Sequence, residues 1–70
     1  MNRYRITDYR MAPGHYETQH HSIYFMASRC WQVRDAAGDE SITEHTTLRS
    51  ALSAALRYDE RINERRAVAR

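Results

Sequence analysis

The spacing of the apolar residues changes once along the chain, and this change restricts the fold more than any other feature. Between Ser22 and Arg34 the apolar side chains concentrate at alternate positions, which is the period of a β-strand. From Leu48 onward they recur every three to four residues, which is the period of a helix. Strands followed by a helix predict an α+β domain. We expect a small antiparallel sheet of three to four strands, followed by one C-terminal α-helix packed on one face.

The chain is short and has few large aliphatic side chains. Only ten of its 70 residues are Leu, Ile, Val or Phe, and aromatic residues and methionine supply most of the remaining apolar surface. Residues 1–70 are therefore expected to form a single domain with a thin core. A domain of this size buries about 60% of the surface of its unfolded chain. Contact with a partner or with a second copy is therefore expected to add stability.

The segment from residue 22 to residue 34 contains the predicted core strands. The odd-numbered side chains expected to face the core are Ile23, Phe25, Trp31 and Val33. A single strand of this length would extend about 43 Å, which is too long for so small a domain, so we expect a turn or a bulge near residues 27–29. Because one helix covers one face of a sheet, the even-numbered side chains of Tyr24 and Met26 are predicted to lie on a face left open.

One apolar stripe defines the helix. Its members are Leu48, Ala51, Leu52, Ala55, Leu56 and Ile62. Thr47 is the predicted N-cap and Thr46 the alternative, because a threonine hydroxyl can accept a hydrogen bond from the first turn. Asp59 and Arg66 fall inside the stripe, so we expect the helix to extend past the core beyond Leu56.

The remaining segments are predicted from turn residues and β-forming residues. Residues 3–10 alternate well enough to predict an N-terminal strand. Pro13 and Gly14 mark a turn. The other predicted segments are a loop or ragged edge strand at 15–21, a hairpin loop at 35–39 and a brief return strand at 40–44.

The sequence has no arrangement of residues typical of an enzyme or a metal site. The four histidines lack the spacing of a helical ligand pair, and adjacent His20 and His21 would point to opposite faces of an extended chain. We therefore expect histidines in solvated loops. Cys30 is the one cysteine and is expected to be a surface thiol, and Gly14 and Gly38 are too few for a phosphate-binding loop. These features predict a protein that is not an enzyme, with no cofactor and no metal.

Nothing in the sequence indicates membrane insertion or secretion. It contains no run of 18 apolar residues, and residues 1–5 lead into polar sequence without the apolar core of a signal peptide. A single cysteine fits a reducing compartment. We expect a cytoplasmic protein without membrane contact.

The uneven distribution of charge indicates two candidate binding sites. Residues 35–48 carry four carboxylates and no arginine, whereas the segments on either side are basic. The candidate residues for a protein partner are Tyr24, Met26, Asp39, Glu40 and Glu44. The three carboxylates among them would occupy a basic groove that normally receives phosphates. The candidate residues for direct nucleic-acid binding are Arg3, Arg5, Tyr9 and Arg10, which offer cations for phosphates and rings for base stacking. An ordinary solvent-exposed strand would also carry these arginines and tyrosines, and an ordinary solvent-exposed turn would also carry these carboxylates. For each candidate site, a binding role and simple exposure to solvent therefore both remain open.

The run from Trp31 to Glu40, WQVRDAAGDE, and the following TLRSA from Thr47 to Ala51 resemble the strand, hairpin and helix pattern of very small phage and mobile-element proteins. Anti-CRISPR proteins are the best-known functional group among them. The resemblance implies a non-catalytic inhibitor of phage or mobile-element origin that binds a host protein or ribonucleoprotein complex, such as a CRISPR-Cas complex. In that mode Asp39, Glu40 and Glu44 would imitate phosphates. The alternatives are a small RNA- or DNA-binding module and a homodimerising, antitoxin-like accessory protein.

Overall fold

The computed structural model describes residues 5–36 and 41–68. Its elements in chain order are a 3-10 helix (Ile6–Tyr9), β1 (Arg10–Ala12), β2 (His15–Glu17), β3 (His21–Ala27), β4 (Cys30–Asp35), β5 (Ser41–His45) and α1 (Leu48–Val68). The five strands form one antiparallel sheet in chain order. Helix α1 packs against β3, β4 and β5. The predicted α+β fold is confirmed, with a sheet of five strands rather than three to four.

The N-terminal strand predicted at residues 3–10 is wrong for the part that the structure describes before β1. Residues Ile6–Tyr9 form a 3-10 helix, in which side chains three positions apart lie on the same side. Ile6 and Tyr9 have this spacing, and both pack against the core. On a strand they would point to opposite faces, whereas the 3-10 helix lets the Ile6 side chain and the Tyr9 ring bury apolar surface together. Arg3 lies outside the described residues.

Strands β3 and β4 form the hairpin predicted within residues 22–34. The turn falls at Ser28 and Arg29, as expected, and Arg29 takes the left-handed conformation with φ of 60°. Ile23 lies opposite Val33 in the antiparallel register, so their side chains share one face of the sheet. The same face carries the next cross-strand pair, Phe25 and Trp31.

Two shorter strands widen the sheet beyond this hairpin. Strand β2 forms inside the segment expected to be a loop or a ragged edge strand, and it pairs with β3. Strand β5 confirms the predicted return strand and pairs with β4. Gly38, Asp39 and Glu40, which belong to the predicted hairpin loop and the start of the return strand, lie outside the described residues.

The core lies between the hairpin and the first half of α1. Five side chains in it have no exposed surface, namely Ile23, Val33, Ala51, Leu52 and Ala55. Trp31, Leu48 and Leu56 pack around them. The prediction that Phe25 belongs to the core is wrong, since 49% of this residue is exposed. Phe25 lies two cross-strand pairs closer to the β3–β4 turn than Ile23, and the buried helix residues cluster with Ile23.

Helix α1 begins where its predicted N-cap places it. The Ser50 backbone N–H donates to Thr47 Oγ1 at 3.1 Å, which satisfies one of the free donors of the first turn.

Among the described residues, no helix has both the length and the hydropathy needed to cross a membrane.

The second half of α1 is attached to the sheet through a buried carboxylate. Asp59 is only 5% exposed and accepts three hydrogen bonds. Its donors are the backbone N–H groups of Gln19 and His20, each at 3.1 Å, and His21 Nδ1 at 2.6 Å. One expectation is therefore wrong, because His21 is buried rather than solvated. The helix does extend past the fully buried apolar core beyond Leu56, as expected, and Asp59 holds this extension to the turn between β2 and β3. A carboxylate inside an apolar stripe is stable here because three hydrogen-bond donors reach it.

Asn63 extends this attachment by one further turn of α1. Its Nδ2 donates to Gln19 Oε1 at 3.1 Å, and its Oδ1 lies 3.0 Å from His20 Nε2, which is the donor because the amide oxygen can only accept. The turn between β2 and β3 is thus held to the helix by Asp59 and Asn63 together. We call these contacts the polar clamp.

Candidate binding surface on the open face of the sheet

One face of the sheet is left uncovered by α1, and its side chains form the candidate site. The register pairs His15 with Tyr24, Tyr24 with Gln32, and Gln32 with Glu44. These side chains point away from the core because strand neighbours such as Ile23 and Val33 point toward it. We define the open face as the side chains of His15, Glu17, Tyr24, Gln32, Arg34 and Glu44.

Tyr24 occupies the centre of the open face. The His15 ring stacks on it, with 4.7 Å between ring centroids and 10° between ring planes. The guanidinium carbon of Arg34 lies 5.2 Å from the Tyr24 ring centroid, within the range of a cation–π contact. The ring is half-buried by these two neighbours, so its orientation is fixed before any partner arrives.

Hydrogen bonds continue this arrangement toward the β5 edge. Arg34 donates to Gln32 Oε1 from Nε at 3.1 Å and from Nη2 at 2.9 Å. Gln32 Nε2 in turn donates to Glu44 Oε2 at 3.0 Å. At the β2 side, His15 Nε2 lies 3.1 Å from Glu17 Oε2. A continuous series of contacts therefore crosses four strands.

The open face combines this order with a negative formal charge. Glu17 and Glu44 are exposed on either side of the half-buried Arg34. With His15 neutral, these three groups sum to a charge of −1, although the whole chain carries +2. Within residues 5–36 and 41–68, no group of three or more His, Cys, Asp or Glu side chains is placed to hold a metal ion.

The structure brings together part of the acidic set that the sequence indicated. Tyr24 and Glu44 both lie on the open face, joined through Gln32. Met26 lies near the β3–β4 turn and is 48% exposed. Asp39 and Glu40 lie outside the described residues, directly before β5 in the sequence.

The structure places the described members of the arginine and tyrosine set on two different elements, the 3-10 helix with its preceding residue and strand β1. Tyr9 packs against the core from the 3-10 helix, so its ring contributes to folding. Arg5 precedes that helix and Arg10 begins β1, and both are exposed. No strand displays alternating arginine and tyrosine in the described part of this segment.

Sequence reasoning missed four members of the open face. Gln32 and Arg34 share the even numbering of Tyr24, and that numbering was sufficient to place them on the same face. His15 and Glu17 could not be found in this way, because their segment was expected to be a loop or a ragged edge strand without an assigned register. Comparison of the chain with protein-family models, with curated proteins and with solved structures finds no match.

Proposed function

We propose that the protein is a non-catalytic inhibitor that binds stoichiometrically to a host complex that processes nucleic acid, such as a CRISPR effector complex. The open face of the sheet is its binding surface. The partner surface is a basic groove that otherwise holds nucleic acid.

The observation that carries this proposal is the ordered, uncovered state of the open face. A surface of stacked rings and linked polar groups is typical of a protein interface, where tyrosine and arginine are enriched. Because Tyr24, Gln32 and Arg34 already hold one another in place, little side-chain freedom is lost on binding.

Charge complementarity supports the choice of a basic partner. Glu17 and Glu44 are the exposed carboxylates of the open face, and both would approach the cationic groups of the groove. Opposite charges across an interface speed association and select the correct partner. Arg34 keeps its positive charge, but its hydrogen bond to Gln32 and its contact with the Tyr24 ring hold its guanidinium within the open face.

The test measures binding of labelled target DNA by purified CRISPR effector complexes of several types. The protein is expected to abolish DNA binding by a susceptible complex at about one molecule per complex. The double variant Glu17→Lys/Glu44→Lys should require about tenfold more protein or higher, because each reversal places like charges together. The matched control, Glu60→Lys/Glu64→Lys, makes the same charge change on the exposed side of α1 and should inhibit normally. If every complex binds DNA normally at saturating protein, the proposal is wrong.

Imitation of phosphates by the acidic hairpin is tested separately. The triple variant Asp39→Arg/Glu40→Arg/Glu44→Arg should lose inhibition of the same complex. Inhibition that is unchanged in this variant but lost in Tyr24→Ala would assign binding to the rings of the open face and reject phosphate imitation.

A further inference from the structure

At the end of the sheet next to the β3–β4 turn, aromatic side chains continue past the edge of the core: Tyr16 and Trp31 pack against the core on one side, and Phe25 is exposed. Tyr16, Phe25 and Trp31 lie on three neighbouring strands, on the same face as the core. The Phe25 and Trp31 rings meet edge to face at a centroid distance of 5.1 Å, and Tyr16 and Trp31 do so at 6.0 Å. Phe25 is 49% exposed and Trp31 is half-buried. We call these three rings, with Met26, the hairpin end.

The backbone holds this surface in a fixed shape. The Phe25 N–H donates to the Gly14 carbonyl at 2.9 Å, and Gly14 has φ of 75°. A Cβ atom at Gly14 would lie 3.3 Å from Phe25 Cβ, so the turn before β2 packs directly under this residue. Met26 is the extra residue of a bulge opposite Trp31 and Cys30, which leaves it unpaired and 48% exposed.

Cationic groups flank the hairpin end. Arg10 lies opposite Tyr16 in the β1–β2 register, and Arg29 is the second residue of the β3–β4 turn; both are exposed. Asp8 in the 3-10 helix is the described carboxylate nearest to Arg10 in the sequence, two residues before it. The other described carboxylates lie on the open face, at the far end of β4 and in the second half of α1. Arg10 and Arg29 are therefore the charged residues that the strand register and the turn place beside the rings.

We propose that the hairpin end binds unpaired bases of a single-stranded nucleic acid, with Phe25 and Trp31 stacking on bases and with Arg10 and Arg29 contacting phosphates. Each nucleotide supplies both a flat ring and an anion, which is the combination that this surface complements. Aromatic side chains on neighbouring strands of a sheet are a recurrent platform for single strands. This inference concerns a different surface from the open face and holds whether or not the open face binds an effector complex.

The fluorescence of Trp31, the single tryptophan, measures binding at the hairpin end. Titration with oligothymidylate and oligouridylate of about ten nucleotides at low salt should quench the fluorescence of Trp31 to saturation. Two phosphate contacts predict that log K falls with log salt with a slope of about −1.4. Phe25→Ala should weaken binding about tenfold, because stacking on one ring is lost. If Trp31 is not quenched at low salt, the inference is wrong.

Matched arginine variants separate specific contacts from overall charge. Arg10→Ala/Arg29→Asn should bring the salt slope close to zero; asparagine is chosen because it tolerates the left-handed conformation at position 29. Arg57→Ala/Arg61→Ala removes the same charge from the exposed side of α1 and should bind as the unaltered chain does. Equal losses in both variants would overturn the inference. The inference would also be overturned if duplex DNA bound as tightly as the single-stranded oligonucleotides. Tighter binding of a glutamate–tyrosine copolymer than of the oligonucleotides would overturn it too, and would assign the surface to an acidic protein. Unfolding midpoints confirm that each variant is folded.

Discussion

The contacts on the two faces of the sheet join residues at different separations in the sequence. On the covered face, residues far apart in the sequence are joined: Asp59 contacts the β2–β3 turn across about 40 positions. On the open face, Gln32 contacts Arg34 two positions away on the same strand and Glu44 on the adjacent strand. Breaking the first kind of contact separates whole elements, whereas breaking the second rearranges side chains in water. We therefore expect stability to depend on the covered face and binding on the open face.

The largest loss of stability is expected from Asp59→Ala. This variant leaves His21 and two backbone N–H groups without their acceptor in a buried site, and removal of one member of such a pair costs about 3–5 kcal/mol. A chain of this length is stable by only about 4–10 kcal/mol. The free energy of unfolding, measured in urea by circular dichroism, should fall by this amount. Glu60→Ala, an exposed neighbour on α1, is the control and should change it by less than about 0.5 kcal/mol. Equal values for the two variants would show that the polar clamp does not stabilise the fold.

Leu52→Ala tests the apolar half of the same face. Leu52 has no exposed surface, so its truncation leaves a cavity and should lower the free energy of unfolding by about 3 kcal/mol. The partly buried Leu56 provides the comparison, and Leu56→Ala should cost clearly less. A smaller loss for Leu52 than for Leu56 would contradict the placement of the core between the hairpin and the first half of α1.

The difference between the two halves of α1 also explains what the sequence could predict. The stripe from Leu48 to Leu56 is apolar, so its period predicts both the helix and the face that it buries. Asp59 lies on the same stripe, yet a charged residue there signals exposure unless its partners are known. Those partners are backbone N–H groups of a turn about 40 residues away, and no periodicity encodes them.

The N-terminal segment and Phe25 were mispredicted for related reasons. Residues 3–10 have β-forming composition, but the burial of Ile6 and Tyr9 together favours a 3-10 helix. Phe25 has the odd numbering of the core-facing side chains, but this numbering does not predict where along the strand the contact with α1 ends. The open face was predictable in part because parity alone places Tyr24, Gln32 and Arg34.

Thr47→Ala tests how much the N-cap of α1 contributes to the stability of the covered face. It removes the acceptor for the Ser50 N–H and should lower the free energy of unfolding by about 1 kcal/mol. Thr46→Ala changes the alternative cap residue and should have little effect. If Thr46→Ala is the more destabilising of the two, the helix begins one residue earlier in solution.

The smallest effect on stability is expected on the open face. Gln32→Ala removes the link between Arg34 and Glu44, but water can satisfy both groups, so the free energy of unfolding should change by less than about 0.5 kcal/mol. Inhibition of a susceptible effector complex should nevertheless weaken, because the ordered surface is interrupted. A loss of stability as large as that of Thr47→Ala would contradict the division between the two faces.

The central claim is that α1 covers one face of the sheet and leaves the other free, and thiol labelling tests it most directly. In a Cys30→Ser background, Gln32→Cys places a thiol on the open face and Ala55→Cys places one in the core. With a soluble aromatic disulfide reagent, the thiol at position 32 should react nearly as fast as in the unfolded chain, at every protein concentration. The thiol at position 55 should react at least about a hundredfold more slowly, because it must wait for the fold to open. Protection of position 32 equal to that of position 55 would show that the open face is covered, and would contradict the account.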